Sequence, residues 1–436
     1  MDALVPHAKI DKVCGLAPFA SSTIPDEIGQ ILEGIESPLE KLFFFHFVHS
    51  TSHILTLPSD QNEDPVISVV TPMAVEDPMV LKAVLCLGAS HMMNHMSSSD
   101  TEACMFAGEK QRLLQETEKL QASRVTALQD LDSGTQERRA EYEALLTSYL
   151  LLYLYELSEG TDDESWQVRL GRTRDIVFSA WEEQQGESDE EDDEEDEGPD
   201  REELEELGFD GFLMQFFLYH DILASVTAQR PKSNLINCRL DASSSPNTDQ
   251  KENMFGVHNG LIDIISRIAS LRSDANTEPL LQATVIAEAV GIWQDIDDWK
   301  LPDDGISDDY RNMCEAWIAA AFIWLFSIVY PDRIADEKVQ TMVDRGLQCL
   351  SSVELPGLLS FTLFPVFVIG MACIQQQSRR VSEEQLDRIE EFRQFQNAQV
   401  CRVVIGSAWK AYDTGDGHSW DWIRLMEMQG TNVPVT

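Results

Sequence analysis

Apolar residues recur along most of this chain at the three- and four-residue spacing of α-helices. The clearest stripe has five apolar residues on one helical face: Leu261, Ile264, Ile265, Ile268 and Leu271. Residues 138–157 are polar in the first turn and then apolar on every side, which is typical of a helix inside a domain. Alternating, strand-like apolar residues are weak and confined to 66–70. The pattern therefore predicts an all-α fold.

Other segments with the same periodicity predict most of the remaining helices. They cover residues 77–96, 164–181, 210–231, 316–330 and 383–413. Asp77 and Pro78 suit an N-cap and a first helical position, and Pro231 should stop its helix. Residues 383–413 are predicted as one long amphipathic helix. No fixed repeat emerges, so we expect a single large irregular domain of stacked antiparallel helix pairs over residues 36–430.

Two apolar runs are long enough to be compared with a membrane span. Residues 316–330 are short for a bilayer, and residues 358–374 are borderline in length and contain Pro365. Neither run has an asymmetric set of flanking Lys or Arg residues. Both are predicted as core helices, and no membrane interaction is expected.

The net charge of −44 is unevenly distributed. Residues 182–206 contain 17 Asp or Glu residues and a single basic residue, Arg201. We expect residues 183–203 to form an inserted, disordered acidic loop, and residues 1–35 to be disordered or loosely packed. A third polar loop is expected at 241–253. The acidic loop suits either a solvated connection or a surface for basic partners.

The rest of the chain is also acidic, and this bears on nucleic acids. No cluster of four or more basic residues occurs in the sequence. Binding to a duplex requires Lys and Arg side chains to replace its counterions. Direct nucleic-acid binding by these residues is therefore not expected.

The sequence contains none of the common local signatures of catalysis. The Ser-elbow, P-loop, dinucleotide-binding, zinc-protease and EF-hand patterns are missing. An acidic all-α chain could be a terpenoid-type synthase, whose Asp-rich helix holds Mg²⁺. Here Asp308 and Asp309 are followed by Asn312 in place of an acid, and the second motif has Ser270 where an acid is needed. We therefore predict no catalytic residues, no cofactor and no enzymatic activity.

Histidines form the remaining candidate for chemistry. His46, His49 and His53 are spaced by three and four residues, and His91 and His95 repeat the spacing of four. Such spacing places imidazoles on one helical face, as a zinc site requires. However, phenylalanines surround the first group, and no Asp or Glu lies between Glu40 and Asp60. We therefore favour structural histidines over metal ligands, with His46 and His49 largely buried and no metal bound.

Eight cysteines are scattered, and no two lie within four residues of each other. This spacing contains neither a zinc ribbon nor a redox pair. Most of them stand among apolar residues. We expect buried free thiols in a reducing compartment.

Five segments in order resemble the regulatory domain of fungal zinc-cluster transcription factors, the fungal-specific transcription factor domain. They are an aromatic–His helix (42–58), a Pro-led small-residue helix (62–92), paired helices with a Gly turn and a Trp (149–177), a Pro–apolar–Gly helix ending in Arg (363–380) and a closing Trp-bearing segment (408–430). The resemblance implies an all-α regulatory domain that answers inducers or partner proteins. In that family a six-cysteine unit near the N-terminus holds two zinc ions and binds DNA. Here Cys14 is the only cysteine in the first 85 residues.

The resemblance implies a transcriptional regulator in the nucleus. With no zinc cluster in this sequence, we expect it to act through protein partners, such as the transcription machinery or a DNA-binding regulator, or through a small-molecule effector. Relatives of this type often control biosynthetic gene clusters of secondary metabolism. The alternative is an enzyme or a small-molecule sensor that reuses the helical scaffold.

Overall fold

The computed structural model defines most of the chain between residue 34 and residue 436. The residues that it describes are 34–57, 64–96, 100–128, 131, 135–161, 163–185, 204, 207–228, 260–277, 282–301 and 306–436. Within these ranges every regular element is helical and no strand occurs. The all-α prediction is confirmed.

The α-helices of the described ranges are numbered here in chain order. They are α1 (Pro38–His46), α2 (Thr71–Glu76), α3 (Pro78–His95), α4 (Asp100–Leu128), α5 (Gln136–Glu159), α6 (Ser165–Gln185), α7 (Gly211–Ser225), α8 (Leu261–Thr277), α9 (Gln282–Asp298), α10 (Asp308–Val329), α11 (Glu337–Ser352), α12 (Pro356–Leu359), α13 (Leu363–Met371), α14 (Gln376–Arg393), α15 (Asn397–Asp413) and α16 (Trp422–Gln429).

Helix starts follow local sequence chemistry. Ser37 and Glu40 form a capping box at the start of α1: the Ser37 hydroxyl accepts from the Glu40 amide, and the Glu40 carboxylate accepts from the Ser37 amide. At α3 the Asp77 carboxylate accepts from the amides of Met79 and Val80, with Pro78 at the first helical position. The predicted cap at Asp77 is confirmed.

Two groups of helices build the interior. In the first, α3 packs against α1, α4 and α5, and α5 packs against α6. In the second, α10 packs against α11 and α13, while α14 and α15 cover α13. The predicted stripe of α8 is buried at all five positions, from Leu261 to Leu271. Interior helices such as α5 are buried on nearly every side, as their uninterrupted apolar sequence predicts.

Helix α10 is long and apolar enough to cross a membrane, yet 72% of its most apolar window is buried inside the protein. Trp317 and Trp324 are among the most buried large side chains of the described residues. Residues 358–374 form the end of α12 and the whole of α13, where Pro365 lies in the first turn. Both apolar runs are thus core helices in the structure.

Three sequence predictions of local structure were wrong. Residues 383–413 do not form one helix: α14 ends at Arg393, and α15 begins at Asn397. Gln394 has a left-handed backbone with φ of 55°. Residues 66–70 are wound as a π-helix that continues into α2, because Pro65 already has helical backbone angles and starts the turn. Helix α7 also ends at Ser225, well before Pro231.

The segments expected to be disordered lie almost entirely outside the described residues. Of residues 1–35 the structure describes 34 and 35, and Ile35 is buried. Of residues 183–203 it describes 183–185, which form the last turn of α6. The loop predicted at 241–253 also lies outside the described residues.

Candidate histidine site

Three histidines from two helices place their imidazole rings around one point. His46 ends α1, and His91 and His95 lie one turn apart at the end of α3. One ring nitrogen of each lies within 4.8 Å of those of the other two. The ring centres are 5.0 Å apart for His46 and His91, 4.5 Å for His91 and His95, and 5.7 Å for His46 and His95. We call these three residues the histidine cluster.

The proton on the central ring, His91, can be assigned from its neighbours. Its Nε2 lies 3.1 Å from the carbonyl oxygen of Arg393, which can only accept, so Nε2 carries the hydrogen and donates. The lone pair is therefore on Nδ1, which lies 3.2 Å from His46 Nε2 and 2.9 Å from Thr51 Oγ1. His95 Nε2 lies 3.0 Å from His91 Nε2. This assignment directs the lone pair of His91 towards His46.

The Arg393 carbonyl faces His91 because the chain turns sharply between α14 and α15. The left-handed residue Gln394 makes that turn, and its carbonyl accepts from Asn94 Nδ2 at 2.9 Å. The side-chain amide of Asn94 also donates to the carbonyl of Ser158 at 2.8 Å. The backbone amide of Gln396 donates to that same carbonyl. The break between α14 and α15, which the sequence did not predict, therefore positions the Arg393 carbonyl beside the histidine cluster.

A buried ion network fixes the helix that carries His46. Glu40 is fully buried, and its Oε1 accepts from Lys82 Nζ and Arg112 Nη2, both at 2.8 Å. Arg112 also binds Glu109 and Glu116 within α4, and the Arg112–Glu40 and Lys82–Glu116 pairs tie α4 into the network. Burial alone would raise the pKa of Glu40, but hydrogen bonds from Lys82, from backbone amides and from Arg112 hold that pKa below its usual value. α1 is thereby joined to α3 and α4.

Burial keeps all three imidazoles neutral at pH 7. It lowers the pKa of His46 to about 4, with a further lowering by His95. It lowers the pKa of His91 well below the usual value, with added effects of the two neighbouring histidines, and it lowers the pKa of His95 as well. His46 and His91 are buried, whereas His95 is exposed and gives the cluster contact with solvent.

The structure separates the histidines that the sequence grouped together. His46 is 8% exposed, which confirms its predicted burial. The prediction that His49 is also buried was wrong: it is exposed and packs its ring on Phe45, with ring centres 4.2 Å apart. The chain changes to π-winding after His46, so later side chains leave the α-helical register. His53 binds Asp64 at 3.1 Å, and this hydrogen bond raises the pKa of His53.

Asp309, one of the acidic residues compared with a synthase motif in the sequence, has a local structural role. Asp309 lies in the first turn of α10, and its carboxylate accepts from the amides of Glu354 at 3.1 Å and Leu355 at 2.9 Å. It thus ties the loop after α11 to the start of α10, which accounts for its carboxylate without a metal.

The described residues also form an open acidic cleft of about 820 Å³ between the loop after α10 and the loop after α15. Its carboxylates include Asp413, which binds Arg379 at 2.7 Å, and Asp416, which binds Arg424. These two acids already have basic partners, and Asp336 caps the start of α11 through the Lys338 amide.

The cysteines among the described residues form no disulfide. Cys86, Cys314, Cys373 and Cys401 are buried, as predicted, and Cys104 is exposed. Burial raises the pKa of Cys86 to about 12, so this thiol stays protonated and inert. The histidine cluster therefore remains the strongest chemical site. Its neutral rings can form hydrogen bonds with one another or coordinate a divalent ion.

Comparison with known protein families gives a match over nearly the whole chain. The model of the fungal-specific transcription factor domain matches residues 42–435, nearly the whole chain. That model describes a transcription-factor domain and not a family of known enzymes. Neither a curated relative nor a solved structure matches the chain.

Proposed function

This chain belongs to the fungal-specific transcription factor domain family, and from that premise we propose that it regulates transcription through partners or a small effector instead of direct DNA contact. The observation that carries the proposal is the family match over residues 42–435. Membership supports a role in transcription regulation, and the choice between partner and DNA rests on charge.

The charge of the chain favours a protein partner over a duplex. The net charge is −44, which repels the phosphate backbone at long range. Several arginines of the described residues are already bound to two or three carboxylates each, namely Arg112, Arg267 and Arg402. Such side chains cannot replace counterions on DNA without losing their own ion pairs. A partner with a basic surface fits this charge distribution.

Regulation requires two arrangements of the scaffold that a ligand or partner distinguishes. The contacts around His91 suit such coupling, because they join α3 to the corner between α14 and α15, where Arg393 lies 302 residues from His91, and join α3 to α1 through His46. A partner that binds either end would bias the packing of the other. We place the protein in the nucleus, with genes of a biosynthetic cluster as its targets.

A reporter experiment tests the proposal. The full chain, fused to an unrelated DNA-binding module, should change the transcription of a reporter that carries the module's sites. A matched fusion with Leu152→Asp, which places a charge in the middle of buried helix α5, should lose this effect. Loss would show that the folded scaffold is required. An unchanged effect in the Leu152→Asp fusion would contradict the proposal, because it would assign the activity to unfolded acidic sequence.

Direct DNA contact is tested separately with purified protein. We expect no retardation of promoter duplexes from genes whose transcripts change in a deletion strain, at 150 mM salt, a concentration at which specific DNA-binding proteins remain bound. Specific retardation by the chain alone would overturn the indirect mechanism. A deletion strain with an unaltered set of transcripts would overturn the regulatory function itself.

A further inference from the structure

We propose that His46, His91 and His95 bind one zinc ion that links α1 to α3. The inference does not depend on the proposed function, since it concerns metal binding by the purified chain. It also replaces the expectation from sequence, which considered His46 with His49 and His53, and His91 with His95, as two separate groups. The histidine cluster contains His46 from the first group and both residues, His91 and His95, of the second.

The spacing of the rings suits a tetrahedral ion. Zinc–nitrogen bonds of about 2.1 Å place each ring centre about 3.2 Å from the metal, so ring centres in a tetrahedral site are about 5.2 Å apart. The observed separations of 4.5, 5.0 and 5.7 Å lie on both sides of that value. The ring planes are inclined at 50°, 69° and 73°, so the rings do not stack on one another.

The outer contacts of His91 are those of a metal ligand. A ligating histidine usually donates its other ring N–H to a carbonyl or carboxylate, which fixes its tautomer. His91 Nε2 donates to the Arg393 carbonyl in this way, so the lone pair that could ligate a metal is on Nδ1. His91 Nδ1 and His46 Nε2 are 3.2 Å apart, close to the separation of two nitrogens on one tetrahedral ion.

Without an ion, the same groups compete for partners. The single hydrogen on His91 Nε2 lies near both the Arg393 carbonyl at 3.1 Å and His95 Nε2 at 3.0 Å. The lone pair on Nδ1 likewise lies near two potential donors, His46 and Thr51. A zinc ion would accept the lone pairs of all three imidazoles and leave the His91 hydrogen to Arg393 alone.

The cluster is accessible to a metal ion. His95 is exposed, which provides an entry path and room for a water molecule as the fourth ligand. The guanidinium group of Arg393 donates through Nη1 to the carbonyl of Thr436, although its positive charge still acts on His91. Imidazole nitrogens suit zinc, copper and nickel, and a tetrahedral arrangement favours zinc.

The test uses the untagged full chain, because a histidine tag would bind metal itself. Metal content is measured after purification and after dialysis against zinc, and zinc affinity is measured by competition with a chromophoric chelator. Cobalt is then substituted for zinc, and its visible absorption reports whether the site is tetrahedral. We expect one zinc per chain, a tetrahedral cobalt spectrum and a melting temperature that rises with zinc concentration.

The variants separate the histidine cluster from the other histidines. His95→Ala changes an exposed side chain and should fold normally, while His91→Gln removes the central ligand. We expect each to weaken zinc binding by more than about 100-fold, the upper end of what outer contacts contribute. His49→Ala is the matched control, because His49 is exposed only three residues from His46. Cys104→Ser controls for adventitious binding by an exposed thiol.

The outcomes are distinct. Stoichiometric zinc that His49→Ala and Cys104→Ser retain, and that His95→Ala loses together with its zinc-dependent rise in melting temperature, supports the site. Absence of zinc from the native chain even after dialysis would overturn it and leave a hydrogen-bonded cluster. Zinc retained at native affinity by His95→Ala and His91→Gln would overturn it as well. None of these results bears on the reporter experiment.

Discussion

The histidine cluster and His220 are two buried histidine environments with opposite surroundings. In the cluster, ring nitrogens face one another across two helices. His220 in α7 is enclosed by the rings of Tyr153, Phe216 and Tyr219, with centres 4.7 to 5.4 Å away, and its Nδ1 has no hydrogen-bond partner among the described residues. Burial lowers the pKa of His220 to about 3 and that of His46 to about 4.

The difference shows that burial by itself does not make a site. Both environments keep imidazole neutral, but the cluster also brings ring nitrogens of three histidines within 4.8 Å of one another. The surrounding structure differs accordingly: an ion network around Glu40 fixes the helix of His46, whereas aromatic rings surround His220. The cluster can therefore bind something, while His220 remains a core residue with one unpaired polar atom.

The largest effect is expected from breaking the ion network beside the cluster. Glu40→Ala removes the buried carboxylate that lies 2.8 Å from Lys82 and leaves Lys82 with the half-buried Glu116 at 3.6 Å, and removal of one member of a buried pair costs about 3 to 5 kcal/mol. We therefore expect the free energy of unfolding to fall by about that amount, measured by chemical denaturation at pH 7. Zinc affinity should fall too, since α1 would no longer be held against α3.

The control for that change is an exposed ion pair. Glu384→Ala removes a partner of Arg380 in α14, where both side chains are more than half exposed. Such pairs contribute about 0.5 kcal/mol or less. Equal losses in Glu40→Ala and Glu384→Ala would show that the buried network does not stabilise the region around the histidine cluster.

A smaller effect is expected where α5 meets the corner behind His91. Gly160 has a φ of 65°, and a Cβ there would lie 2.4 Å from the Cβ of Gln396. Gly160→Ala therefore combines a left-handed backbone with a clash, at a cost of about 2 to 4 kcal/mol. Gly415→Ala is the matched control, because its φ is 88° but nothing lies within 4 Å of the added Cβ. It should cost only about 1 kcal/mol.

Thermal and chemical denaturation of both glycine variants would measure this difference. If Gly160→Ala cost no more than Gly415→Ala, then the close approach of Gln396 would not be a real constraint, and the corner that positions Arg393 would be free to move.

Local patterns in the sequence predicted most of the fold but not the site. The stripe from Leu261 to Leu271 and the cap at Asp77 depend on neighbours within one or two turns, so the sequence reveals them directly. The cluster depends on His46 meeting His91 from 45 residues away, and on Arg393 from 302 away. No local spacing encodes such contacts.

The break between α14 and α15 was missed for a related reason. Neither Gly nor Pro marks it, and Gln394 adopts a left-handed backbone that its type does not favour. Tertiary contacts compensate: Phe395 is 1% exposed, and the Gln394 carbonyl accepts from Asn94. Burial of that phenylalanine overrides helix propensity at the corner.

The pH dependence of stability tests the second histidine environment, that of His220. His220 is neutral in the folded protein but takes up a proton below pH 6.5 when unfolded, so the unfolded state binds more protons and acid destabilises the fold. Its contribution is present in full above pH 6.5 and is lost as pH falls from there towards about 3, by about 1.4 kcal/mol per pH unit. At pH 5 the loss is about 2 kcal/mol.

The His220→Phe variant isolates this effect. Phenylalanine fits the aromatic surroundings and does not titrate, so the variant should lose about 2 kcal/mol less than the native chain between pH 7 and pH 5. Denaturation curves of both proteins at each pH give the difference directly and cancel the titration of the carboxylates. Parallel pH profiles would show that His220 is not a buried neutral imidazole.

The smallest effect is expected at the corner residue itself. Gln394→Gly relieves a left-handed backbone that costs other residues about 1 to 2 kcal/mol, while glycine loses about 0.5 to 1 kcal/mol through greater freedom when unfolded. The substitution keeps the carbonyl that Asn94 binds. We expect a net gain of about 0.5 kcal/mol. Gln394→Ala retains the left-handed strain and should give no gain. A loss in Gln394→Gly equal to that in Gln394→Ala would mean that the Gln394 side chain, whose Nε2 donates to the Glu391 carbonyl, stabilises the corner instead of straining it.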